Sequence, residues 1–226
     1  MTSQGKTTII VATSNPNKAY EFASLLPGVK VLPMPEGIVL PEETGTTFEE
    51  NARVKARYVR DQLLERAGSR MPVTGAPGND ADKLSGIIPS GTGGEVWVMA
   101  DDSGIEVDAL SGAPGIYSAR YAGEDATDIG NVDKLLAELK GRDDRGARFV
   151  CVLVCVSATD EELVAYGYFE GTIAGAPRGR TGFGYDPVFI PLKKKLTVAE
   201  ISADEKNRIS HRARAAHNLL TKLRGG

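Results

Sequence analysis

The sequence predicts a mixed α/β fold, and three observations carry that prediction. An apolar, β-branched run, "TTIIVATS", leads directly into a helix-start signal at Asn15 and Pro16. A second amphipathic helix follows near residue 47, and two long strand-like runs lie close together between residues 147 and 174. Strands and helices that alternate in this way build a layered α/β domain rather than a bundle or a sandwich.

"TTIIVATS" has the continuous apolar character of a strand covered on both faces. In the helix after it, Asn15 caps, Pro16 suits the first position, and Ala19, Phe22, Ala23 and Leu26 fall at helical spacing. Pro27 and Gly28 end it. The helix in "TTFEENARVKARYVRDQLLERAG" opens with Thr47 and Glu50 at capping-box spacing and carries an inner stripe of Ala52, Ala56, Val59 and Leu63. Residues 68–94 contain seven glycines and three prolines without periodicity, and read as a flexible insertion.

The strand "EVWVMA" is expected to stop at "ADDSG", since Asp, Ser and Gly terminate strands by bonding local backbone. Beyond a glycine-rich stretch, "DIGNVDKLLAELKG" reads as a helix. "ARFVCVLVCVS" and "ELVAYGYFEGTIA" read as antiparallel strands joined by the polar turn "ATDEE". One helical tail is predicted from Ser202 to Arg224, with Leu219, Leu220 and Leu223 inward.

Composition narrows the function. A net charge of -3 gives no global basic field for nucleic acid or an anionic membrane, although a small phosphorylated ligand needs only local positive charge. No apolar run reaches membrane-spanning length and the N-terminal apolar stretch is too short for a signal peptide, so the cytoplasm is the expected location. Cys151 and Cys155 lie four apart on one strand. That spacing separates them by roughly 13 Å, beyond disulfide reach, and makes them buried core thiols.

Several segments carry chemistry. "TSNPNK", Thr13 to Lys18, leaves a strand for a helix N-terminus, where backbone N–H groups and the positive dipole end suit an anion. Lys18 in that first turn is unfavourable unless it meets negative charge. Asn51 and Lys55 share one helix face, and Glu42 and Glu43 precede that helix within reach of a metal ion. In "ADDSG", Asp101 and Asp102 point to opposite faces if the strand persists, so only one serves a given ligand. Glycines flank Phe183 in "TGFGYDP", and Phe183 or Tyr185 suits stacking on a planar ligand, with Lys206, His211 and Arg212 as donors.

Taken in order, "TSNPNK", "LPEETGTTFEENARVKA", "ADDSGIEVDALSGAPGIYSARYAG", "GFGYDPVF" and "EKNRISHR" resemble the inosine/xanthosine triphosphate pyrophosphatase family over nearly the whole chain. The resemblance implies a single domain over residues 1–226: an elongated central mixed β-sheet with flanking helices, and two lobes around a nucleotide-binding cleft. It implies a homodimer that hydrolyses ITP, dITP or XTP to the monophosphate and pyrophosphate with Mg²⁺. Carried over by position, Asp102 is the proton acceptor, Lys55 acts beside it near the triphosphate, and Glu42 with Asp102 serves the metal. Thr13, Ser14, Asn15, Pro16, Asn17 and Lys18 hold the phosphates. Ser103, Phe183, Gly184, Tyr185, Asp186, Lys206, His211 and Arg212 complete the nucleotide site, and Asp101 supports the turn. Backbone N–H groups of the Phe183 to Asp186 loop, or the Arg212 side chain, are the expected donors to the base carbonyl. A Maf-type nucleotide pyrophosphatase and a non-catalytic nucleotide-binding module share parts of this pattern.

Overall fold

The computed structural model describes residues 7–68 and 95–225. The apolar run forms β1 (Thr8–Val11), buried at all four positions, and feeds α1 (Pro16–Leu25). Asn15 caps α1 as expected, its side chain accepting from the Asn17 N–H at 2.9 Å. Ala19, Phe22 and Leu26 are buried, but Ala23 is exposed. Four residues, Lys30–Pro33, form β2, which the sequence reading did not anticipate.

The second helix, α2 (Phe48–Gly68), buries the predicted stripe: Ala52, Ala56, Val59 and Leu63 are all fully covered. Each large apolar side chain so buried contributes about 1.5–3 kcal/mol. The cap at its start is divided. Thr47 Oγ1 accepts from the Glu50 N–H at 3.1 Å, but the Glu50 carboxylate turns to Thr46, accepting from its N–H at 2.7 Å and its hydroxyl at 2.8 Å. Those bonds, the Thr46 N–H first, hold the Glu50 carboxyl below its usual range. Apart from Gly68, the proposed insertion at 68–94 lies outside the described residues.

The largest departure is β3, which spans Val96–Val107 and runs straight through Asp101 to Gly104 instead of stopping there. A strand can keep buried carboxylates if their polar atoms are satisfied. Here Asp101 takes two hydrogen bonds from a lysine, Asp102 Oδ1 accepts from the Ser103 N–H at 2.9 Å, and the Ile105 N–H donates to Ser118 Oγ at 2.8 Å. The turn expected at "ADDSG" is therefore replaced by extended chain.

After two short 3-10 segments comes α3 (Asp128–Glu138), capped by Thr127, whose hydroxyl accepts from the Gly130 N–H at 3.1 Å. The long strands follow as β4 (Gly146–Ser157) and β5 (Glu162–Ile173), joined at a turn closed by the Ser157 N–H donating to the Glu161 carbonyl at 2.9 Å. A three-residue β6 (Phe189–Pro191) pairs antiparallel with β5. The tail is two helices, α4 (Ala203–Ile209) and α5 (His211–Leu223), because Ser210 adopts an extended backbone between them.

The six strands stand in the order β2-β1-β3-β4-β5-β6, with β1 parallel to both β2 and β3. The chain divides into two compact units. One contains the described residues up to Asp101, Val152–Ala165 and those from Ala216 onward. Its buried residues include Ile9, Phe22, Leu63, Val98, Leu153 and Leu219. The other contains Asp102–Cys151 and Tyr166–Ala215, with a core that includes Ile105, Leu135, Phe169, Tyr185 and Phe189. No described helix is long and apolar enough to cross a membrane.

Cys151 and Cys155 are both fully buried, and burial pushes the Cys155 thiol far above its ordinary value of 9.0. Neither thiol is expected to react with a thiolate-selective disulfide reagent at pH 8.5 until the protein unfolds. The unfolded chain ionises Cys155 above about pH 9 while the folded one keeps it protonated. Its contribution to stability is therefore present at lower pH and falls by about 1.4 kcal/mol per unit as pH rises further. Rapid labelling of the native protein would contradict this burial.

Candidate active site

The first unit carries a set of charges built on α1, α2 and β3. The Lys18 ammonium reaches the Asp101 carboxylate, 2% exposed, with Nζ 3.1 Å from Oδ1 and 3.0 Å from Oδ2. Lys55, buried on α2, donates from Nζ to the Asp101 carbonyl at 2.7 Å and to Glu43 Oε1 at 2.7 Å. Two lysines far apart in sequence thus converge on the residue immediately before Asp102. Lys18 resolves its unfavourable helix position by meeting a carboxylate of the protein itself.

Around them, Ser14, Asn15, Pro16 and Asn17 are exposed at the start of α1, and Thr13 is half-buried. Thr13 Oγ1 accepts from the Asn15 N–H at 3.1 Å, which fixes the curve of this loop. Glu42 and Glu43 part company. Glu43 is committed to Lys55, whereas Glu42 is exposed and makes no hydrogen bond or ion pair among the described residues.

Asn51, 1% exposed, steadies the loop carrying both glutamates: its Oδ1 accepts from the Gly45 N–H at 2.8 Å. A side chain at Gly45 would meet that oxygen at 2.7 Å, so glycine is needed for the close approach. Asn51, which shares a helix face with Lys55, is placed as a backbone clamp.

The second unit carries a different kind of surface. Phe183 is 57% exposed, and two cationic groups lie over its ring: Lys206 Nζ at 4.3 Å and Arg212 Cζ at 5.5 Å from the centroid. The loop that presents it is held from inside. Asp186, 3% exposed, accepts on Oδ2 from the Phe183 N–H at 2.9 Å and from Lys206 Nζ. Gly182 has φ +81°, and a side chain there would sit 2.1 Å from the same oxygen.

Tyr185 is buried and donates its hydroxyl to the Ser118 carbonyl at 2.9 Å. Burial first, then the charge of neighbouring groups, pushes that phenol well above its ordinary value. The Gly184 N–H donates to Asp128 Oδ2 at 2.7 Å. His211 is 7% exposed and stacks on Phe149, ring centroids 5.0 Å apart and 13° from parallel. Arg212 beside it is 6% exposed. Asp102 and Ser103 also belong to this unit.

The geometry adds residues that sequence reasoning did not single out. Ser118 and Asp128 serve the Phe183 loop, from 67 and 56 positions away, and no local pattern announces such distant partners.

A model of the Ham1 family matches residues 9–222. A dITP/XTP pyrophosphatase of Oceanobacillus iheyensis is 42% identical over 218 residues, covering 93% of this chain and 95% of its own. One from Clostridium perfringens is 43% identical over 222 residues, covering 96% and 97%. Among solved structures, the Staphylococcus aureus Ham1 protein aligns at a TM-score of 0.76 with 37% identity, covering 96% of this chain and 98% of its own. A HAM1 protein from Coxiella burnetii gives 0.76 with 36% identity, covering 97% and 99%.

Lys18→Met keeps the stem and removes the charge, and with it two hydrogen bonds to a nearly buried carboxylate. Urea denaturation is expected to show a loss of about 1.5–3 kcal/mol, the range for hydrogen bonds to charged groups. Unchanged stability would mean that the pair does not hold this part of the fold.

Proposed function

The chain belongs to the Ham1 family, and from that premise we infer that it is a nucleoside triphosphate pyrophosphatase acting on deaminated purine nucleotides. The named relatives are dITP/XTP pyrophosphatases, and the expected substrates are ITP, dITP and XTP. Water attacks the α-phosphorus, the bond from that phosphorus to the oxygen bridging to the β-phosphate breaks, and nucleoside monophosphate and pyrophosphate are released. The observation that carries this reading is the convergence of Lys18 and Lys55 at Asp101, next to Asp102.

A triphosphate repels a nucleophile, so positive charge must be fixed where the chain of phosphates lies. Lys18 and Lys55 provide it, and the segment from Thr13 to Asn17 at the start of α1 adds the positive end of the helix dipole. Because both lysines are already oriented by Asp101 and Glu43, little side-chain freedom is lost when substrate binds. Asp102 accepts the proton of the attacking water.

The donor set fits Mg²⁺. Glu42 offers an uncommitted carboxylate, Asp102 is the second ligand in this reading, and both are hard oxygen donors to an ion that completes its shell with water and phosphate oxygens. No group of three or more His, Cys, Asp or Glu that would enclose a metal occurs among the described residues. Bound there, Mg²⁺ would supply charge neutralisation at the phosphates. Glu43 belongs to Lys55 in this scheme rather than to the metal.

Phe183 is the stacking platform for the purine, and Lys206 and Arg212 fix its edge. Asp186 acts through Phe183 and Lys206, since its buried carboxylate is occupied by both. His211 backs this surface through Phe149, Ser103 completes it, and the buried Tyr185 anchors the loop from beneath through Ser118 instead of stacking on the base. The chain is proposed to work as a homodimer in the cytoplasm.

Purified protein with Mg²⁺ is expected to release pyrophosphate from ITP, dITP and XTP, and chelation is expected to stop it. Orthophosphate alone, or no turnover of any of the three, would overturn the assignment. Asp102→Asn should keep the fold and nucleotide binding while turnover falls by about 10²–10⁴, the usual contribution of a positioned acid–base group. Asp101→Asn, by contrast, should weaken stability more than chemistry. Equal turnover in wild type and Asp102→Asn would remove Asp102 from the base role.

A further inference from the structure

Resting on the reading above, in which the Phe183 loop holds the base, we propose that Asp128 is a positioning residue for base recognition, acting through the Gly184 backbone. Asp128 occupies the first position of α3, where an acidic side chain is often present only to favour the helix dipole. That helix is already capped, because Thr127 Oγ1 accepts from the Gly130 N–H at 3.1 Å. The Asp128 carboxylate is directed elsewhere, to the N–H of Gly184 at 2.7 Å.

The recipient explains the need. Gly184 has φ +58° and nothing within 4 Å of where a side chain would project, so its own packing does not hold that backbone in place. On one side, Phe183 is tied through its N–H to Asp186 at 2.9 Å, and on the other the Tyr185 hydroxyl is anchored to Ser118 at 2.9 Å. Gly184 is the joint between these two fixed points. A charge-assisted bond from an exposed carboxylate on another element locks it. The same bond removes the Gly184 N–H from the donors available to a base. Asp128 therefore sets the tilt of the exposed Phe183 ring without itself touching substrate.

Steady-state kinetics on the full chain test this. Asp128→Ala should raise the KM for ITP about tenfold, the effect of losing one hydrogen bond to a charged group, with kcat held within about twofold. Asp128→Asn should restore most of that loss, since its amide oxygen still accepts from Gly184. Inorganic tripolyphosphate, a competitor without a base, should inhibit wild type and Asp128→Ala with the same constant. Phe183→Ala is the control for the underlying reading. If it raises the KM for ITP and Asp128→Ala does not, the role of Asp128 is overturned while the base site stands. If Phe183→Ala leaves the KM unchanged, the base reading itself fails. A parallel weakening of tripolyphosphate, or no rescue by Asn, would also overturn the proposal.

Discussion

A carboxylate buried inside a strand is the constraint on which this structure depends. Asp101 is 2% exposed in the middle of β3, and water cannot solvate it there. An isolated buried charge of this kind costs several kcal/mol, so the fold must bring a cation to it. Lys18 arrives from the first turn of α1, a position that is itself unfavourable for a cation. Each residue offsets the cost of the other. Through the Asp101 carbonyl the same residue also fixes Lys55, so one strand position sets the place of two ammonium groups. The charge arrangement proposed to face a triphosphate is thus also the condition for a stable strand.

The sequence displayed what local periodicity can encode. The stripe of Ala52, Ala56, Val59 and Leu63 and the Asn15 cap are patterns within single elements, and the structure reproduces them. It concealed what distant partners decide. Two adjacent aspartates read as a strand end because local backbone bonding is their usual role; only a lysine 83 residues away lets the strand continue. Short β2 and β6, four and three residues long, carry too few positions for periodicity to register. The tail read as one helix because its apolar spacing survives the break, and Ser210 gives no local stop signal. For the candidate site, residue types were legible but their commitments were not. Glu42 and Glu43 are indistinguishable in sequence, and the Lys55 contact alone separates them.

The two units answer two different physical problems. In the first, the groups are charged and their orientation comes from ion pairs, which suits recognition of a polyanion by field strength. In the second, an exposed aromatic ring is held by buried hydrogen bonds, which suits recognition of a flat surface by shape. Glycine enters both for one reason. Gly45 lets Asn51 approach the loop of the glutamates, and Gly182 lets Asp186 approach the loop of the aromatic. In each case a buried polar side chain takes the place of a regular element in fixing an irregular segment.

That scaffolding bears on how a 6-oxo purine would be told from adenine. Backbone donors of the Phe183 loop were one expected source of selectivity. Three of them are now accounted for: Phe183 donates to Asp186 and Gly184 to Asp128, while the Asp186 N–H turns back to the Phe183 carbonyl at 3.2 Å. The first two bonds end on carboxylates and are roughly twice as strong as neutral ones. Transferring either N–H to the neutral carbonyl of a base would exchange a stronger bond for a weaker one and free the loop at the same moment. Under the proposed base site, discrimination is assigned to the cationic side chains over Phe183, Lys206 and Arg212, which these three bonds leave as donors. An ammonium or guanidinium donates but never accepts, so it can bond a carbonyl at the purine 6-position and cannot accept from the adenine amine.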